Sequence, residues 1–168
     1  MIPLFIGLTL VNLLTFAVAG VLGYMSVAGI GQNLRGWHML AGALAGIVAC
    51  GVHCVVFTYF VATAKWIQHA VVIKKLPESF ITPTRSFKRQ AFPAAMVAIA
   101  VSLIATFSGA ARDNRMISQT MHHTVTACAF AVNILVAAIE YRAISRNGRL
   151  IDAILATIGE SNEPTEVI

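Results

Sequence analysis

The sequence predicts an all-α protein, an integral membrane four-helix bundle with both termini cytoplasmic, and three observations carry that reading. Hydrophobic residues make up 58% of the chain and charged residues only 11%, where a soluble domain carries about a quarter charged. Mean hydropathy is +0.78. Four apolar segments are each long enough to cross the ~30 Å hydrocarbon core, and open strands cannot satisfy their backbone in lipid, so the segments are helices. At 168 residues the chain has room for about four such spans with short connections and no sizeable soluble domain. Any chemistry then sits among the helices.

The chain reads as one domain, 1–168, with spans at 3–26, 38–65, 92–111 and 121–139. The first contains an A-V-A at 17–19 that imitates a signal-peptidase site, but no Lys or Arg precedes the apolar run, which reads as a retained helix. The second continues past the membrane surface through KWIQHAVVIKK, with Lys65 and Trp66 as an interfacial anchor and Pro77 and Pro83 as terminators. His69 lies exposed on that extension. The fourth ends where Glu140, Tyr141 and Arg142 mark the inner interface, and Asn147-Gly148 breaks the helix. Within 144–159, RLIDAILATIGE forms a short amphipathic interfacial helix whose Leu150, Ile151, Ile154, Leu155 and Ile158 turn toward lipid or protein.

Orientation follows from charge. Lys65, Lys74, Lys75, Arg85, Lys88 and Arg89 stand against a single Glu78 in the connection between spans two and three, which marks it as cytoplasmic. The outer loops carry Arg35 on one side and Arg112, Asp113 and Arg115 on the other. The localisation is a bacterial-type inner membrane, and the partners are the lipid bilayer and other membrane subunits or a homo-oligomer. The formal charge of +5 belongs to this topology and not to nucleic-acid binding, since no exposed aromatics interleave the basic residues.

Several function classes are disfavoured. The chain lacks G-x-x-x-x-G-K-[ST], H-E-x-x-H and a Ser/His/Asp pattern. No carboxylate is embedded in a span except Glu140 at the inner edge, which argues against a carboxylate-driven pump or transporter. Cys50, Cys54 and Cys128 fall in apolar segments, where they pack as small hydrophobes. An electron-transfer or accessory subunit fits better than a stand-alone enzyme.

Two polar layers remain. Counted at ~1.5 Å per residue, Asn12, His53, Ser102 and Asn133 reach the middle of the bilayer, one from each span. That layer serves either as a hydrogen-bonded register pin with His53 neutral or as a place where His53 acts as a ligand or in a proton path. At the outer face, WHM at 37–39 opens span two and MHH at 121–123 opens span four, with Met25 and Met116 nearby. Imidazole suits haem iron or copper and thioether suits Cu(I). His38, Met39, Met121, His122 and His123 are therefore candidate metal ligands, besides their ordinary role as interfacial residues. Of the adjacent histidines, His122 is the inward one, because Thr126, Asn133 and Glu140 share its face.

Small residues line span two, with Gly42 and Gly46 forming a GxxxG pair among Ala45, Ala49 and His53. Close helix packing explains such a face, and room for a flat macrocycle is the functional alternative. Span three is similarly thin at Ala94, Ala98, Ala105, Ser108 and Gly109. His38 and His53 are fifteen residues apart, about 22 Å and roughly 60° off one face. Over span two alone this spacing resembles the di-haem cytochromes b, in which one helix holds histidines near opposite sides of the membrane. The resemblance implies haem b as cofactor, with His38 and His122 or His123 as axial ligands, Gly42 and Gly46 beside the ring, and His53 as a supporting or second-site residue. Span four offers no partner at the depth of His53, so one haem follows at most. The expectation is a small membrane subunit of a larger complex that carries or supports such a redox cofactor. Copper handling at the outer face and a cofactor-free structural subunit are the alternatives.

Overall fold

The computed structural model describes the backbone of residues 1–162 and the side chains of 1–159. Its order is α1 (Ile2–Val27), α2 (Leu34–Ile73), a 3-10 turn (Glu78–Phe80), α3 (Thr82–Asp113) and α4 (Gln119–Asn162). All four helices are long and apolar enough to cross a membrane. Their outward faces carry Leu10, Leu14, Ile47, Phe107 and Leu135, all exposed, which is the surface lipid requires of a multi-pass membrane protein.

Local chemistry sets the boundaries. Proline occupies the first turn of α1 and of α3, where its missing N–H has no helical partner to lose. Pro83 thus starts α3 and does not merely terminate α2. The α1–α2 turn uses Gly29, Gly31 and Asn33 at positive φ, residues that tolerate the left-handed region. Arg35 at the start of α2 pairs with Asp113 at the end of α3 at 2.8 Å, which places the two charged loops at one end of the bundle. We call this the histidine end, after His38 and His122, and the opposite one the basic end.

Consecutive helices pack side by side, and α4 returns to α1 across the thinnest seam. Buried positions recur at seven-residue steps: Phe5, Asn12 and Ala19 on α1, and Asn133, Glu140, Asn147 and Ile154 on α4. Such spacing keeps one stripe facing the partner helices in a left-handed bundle. Small residues close the α2–α3 contact. A Cβ added to Gly46 would run into Thr106 Oγ1, whereas one added to Gly42 meets nothing within 4 Å.

Only α1 has roughly membrane length. With 40, 32 and 44 residues, α2, α3 and α4 run to about 60, 48 and 66 Å, so they continue beyond a ~30 Å core. The break expected at Asn147-Gly148 does not occur, because α4 is continuous through it. Asn147 is buried and donates to Tyr59 Oη and Thr63 Oγ1, both at 3.0 Å, which holds the helix on α2 through this point. Segment 144–159 continues α4 along α2. Its Leu150, Ile151, Ile154 and Ile158 turn onto Ile67 and Val71 of α2, with Leu76, Phe80 and Ile81 completing a second apolar core. Leu155 is exposed. The first core, nearer the bundle centre, joins Phe5, Val56, Phe60, Phe87, Ala91, Ala143 and Ile144.

The Gly46–Thr106 contact generates a test. Gly46→Ala is expected to destabilise the bundle by about 2 kcal/mol through overpacking, and Thr106→Ala in the same chain to restore most of the loss. Thermal unfolding of the detergent-solubilised single and double variants measures both.

Candidate functional site

Asn12, His53, Ser102 and Asn133 converge as their depths suggest, and Asn133 is their hub. Its Nδ2 donates to the Ala129 carbonyl at 2.9 Å and to Ser102 Oγ at 3.0 Å, and its Oδ1 accepts from Asn12 Nδ2 at 3.0 Å. A main-chain carbonyl only accepts, so the amide group facing Ala129 is the nitrogen. Asn133 Oδ1 therefore faces His53 Nε2, at 3.3 Å, and that ring nitrogen carries a proton.

His53 Nδ1 lies 2.8 Å from Glu140 Oε1, with the two side chains 2% and 0% exposed. Glu140 is thus no marker of the inner interface. It is the one fully buried carboxylate among the described residues, seven residues beyond Asn133 on the same stripe. With Nε2 already protonated, the short Nδ1–Oε1 contact holds one further proton, and the pair is neutral overall whichever atom carries it. That neutrality suits an apolar surround, where an unpaired charge is costly. Glu140 Oε2 and Asn12 Oδ1 are buried and have no partner among the described residues.

At the histidine end, His38 is part-buried and His122 buried, while His123 is exposed. His38 Nδ1 is 2.9 Å from the Ala19 carbonyl, which only accepts, so Nδ1–H is the donor. Ser108 Oγ donates to the Ala105 carbonyl at 2.7 Å, so its contact with His122 Nδ1 at 2.8 Å is accepted from the ring. Both imidazoles are held by Nδ1–H, which leaves both Nε2 lone pairs free of protein. A ligating histidine is oriented in this way by its outer hydrogen bond. The two ring centres are 6.0 Å apart at an interplanar angle of 74°.

Gly23 on α1 makes room for the His38 ring, whereas at Gly109 on α3 a side chain would only touch His122. A Cβ on Gly23 would sit 2.7 Å from His38 Cε1, and one on Gly109 would sit 3.6 Å from His122 Cε1. Met39 and Met121 are more than half exposed and lie about 100° round their helices from the adjacent histidines. Met116 is exposed in the loop.

An ion shared by two Nε2 atoms at about 2.0 Å separates ring centres by no more than ~6.3 Å, a limit that the His38–His122 and His122–His123 ring centres, each 6.0 Å apart, both fall within. No group of three His, Cys, Asp or Glu side chains converges among the described residues. A macrocycle fits less well. Thr106 fills the face at Gly46, and the shallow groove nearest Gly42 is lined by Val11, Leu14, Thr15, Val18, Ala41 and Leu44, with no histidine.

The fold and site define a multi-pass, four-helix membrane protein with a buried His–Glu layer and a histidine pair at one end. No known family model, curated protein or solved structure matches the chain.

Sequence reasoning brought together the midplane quartet and the inward choice of His122, and it missed Glu140 as the partner of His53. The signal was present in the seven-residue step from Asn133, but the neighbouring Tyr141 and Arg142 suggested an interface. Gly23 and the Ala19 carbonyl left no signal, since backbone acceptors are invisible in composition.

Removing one member of the buried pair should cost far more than removing both. Glu140→Ala or His53→Ala is expected to lose about 3 kcal/mol, and His53→Leu with Glu140→Met under roughly 1 kcal/mol. Unfolding of the single and double variants in detergent reads the difference, and a double-mutant cycle of His53→Leu and Glu140→Met gives the coupling between the two side chains.

Proposed function

We propose that the protein is a small membrane subunit that binds copper at its histidine end, between His38 and His122. The observation that carries this reading is the shared tautomer of the two rings. Both donate Nδ1–H to protein oxygens and keep Nε2 free, with the ring centres 6.0 Å apart. Imidazole nitrogen is a good copper ligand, and Cu(I) accepts two donors in near-linear arrangement, which the absence of a third converging ligand among the described residues favours. The exposed Met39, Met116, Met121 and His123 surround this end with further soft or borderline donors.

By the distribution of Lys and Arg, the basic end faces the cytoplasm and the histidine end the outer side of a bacterial-type inner membrane. A copper site there serves electron transfer or the assembly of a larger membrane complex. Haem b held through the same nitrogens is the alternative for this site, and a purely structural subunit is the outcome if no metal binds.

Protein purified from copper-replete cells is expected to carry near-stoichiometric copper by elemental analysis, with no Soret band in its visible spectrum. His38→Ala and His122→Ala should each lose most of it, and Gly23→Ala should weaken retention by displacing the His38 ring. A Soret band that splits into α and β bands on reduction would assign the site to haem, and metal-free protein with unchanged stability in both histidine variants would leave it structural.

A further inference from the structure

We infer that the His53–Glu140 pair is a proton-exchange site, reached by water at the seam between α1 and α4. This inference is independent of the metal reading, because the pair belongs to a separate layer. His53 lies fifteen residues from His38 along α2, about 22 Å of helix.

The starting point is what the network lacks. Every donor and acceptor of Asn133 is engaged, and both nitrogens of His53 are engaged. Glu140 Oε2 and Asn12 Oδ1 are nonetheless buried without partners, and so is Thr9 Oγ1, one turn from Asn12 on α1. Glu140 is 0% and Asn12 3% exposed. Buried oxygens in such a place call for a donor from outside the chain, and water is the smallest ligand that supplies two. All three atoms lie on α1 or α4, whose seam is the thinnest of the four between neighbouring helices. Toward the basic end, Phe5, Val56, Phe60 and Ile144 close the layer with apolar bulk.

Proton uptake then has one landing place. In the resting pair Nε2–H is bound to Asn133 and one proton lies between Nδ1 and Oε1, so Oε2 is the free acceptor. A hydronium arriving through the seam transfers its proton to Oε2 and leaves as water. The O–H bond forms at Glu140, Nδ1–H stays on His53, and the pair passes from neutral to a single positive charge. Release reverses the step.

Among the described residues no other ionised group stabilises or opposes that charge at close range. The α1 helix carries no charged residue, and α3 has none between Arg89 and Arg112. On α2 the nearest titratable groups are Cys50, Cys54 and Tyr59, the last engaged by Asn147. Arg142, on α4, is exposed.

Infrared difference spectroscopy of the full chain in lipid vesicles, stepped between alkaline and acidic pH in H2O and D2O, tests the inference. Glu140→Gln is the informative variant, because its amide can still donate to His53 Nδ1 and keep the helices in place. The wild type is expected to show a protonated-carboxyl band that grows on acidification and shifts in D2O, and Glu140→Gln to lose that band while its unfolding temperature stays close to wild type. Asn12→Leu, which removes one of the unpaired oxygens, is expected to slow deuterium exchange of the same band at least tenfold. A spectrum unchanged by pH, or a band retained in Glu140→Gln, would overturn the assignment; unaltered exchange in Asn12→Leu would overturn the α1–α4 route.

Discussion

The structure depends on the full hydrogen bonding of Asn133. In an apolar medium an unsatisfied polar group costs several kcal/mol, so one amide with four partners in four directions leaves little freedom of register. Its Ala129 bond fixes which way the amide faces, and that in turn fixes the partners it demands of α1, α2 and α3. Lipid offers no hydrophobic force between helices, and small-residue packing alone tolerates sliding. The polar layer supplies the specificity that packing at Gly46 and the alanines lacks.

The same constraint spreads along α4. Its inward stripe places Asn133, Glu140 and Asn147 at seven-residue intervals, and each meets α2: at His53, at His53 again, and at Tyr59 with Thr63. These bonds hold α4 straight across Asn147-Gly148 and deliver Ile154 onto Ile67 and Val71. A polar core inside the apolar bundle and an apolar core beyond it are therefore two parts of one helix–helix interface. The histidine end is built differently. There the backbone of α1 and a serine of α3 orient two imidazoles, and Gly23 supplies the clearance for His38.

The fold class was legible because composition and segment length decide between water and lipid before any residue is considered. The midplane quartet was legible because helix rise converts sequence position into depth. Glu140 was misplaced because depth was counted from the charged residues next to it, and α4 runs on well past them. The unbroken Asn147-Gly148 shows why local breaker signals fail here: Gly costs a helix about 1 kcal/mol, less than the burial and hydrogen bonds that Asn147 gains. The roles of Gly23 and Ser108 required the facing helix to be known.

The central claim is that hydrogen-bond partners fix the protonation pattern of three buried or part-buried imidazoles. Solid-state 15N NMR of histidine-labelled, metal-free protein in bilayers at neutral pH measures it directly, with single histidine variants assigning the signals. The account predicts protonated Nε2 on His53, and protonated Nδ1 with bare Nε2 on His38 and His122. A bare Nε2 on His53, or Nε2–H on His38 and His122, would contradict it.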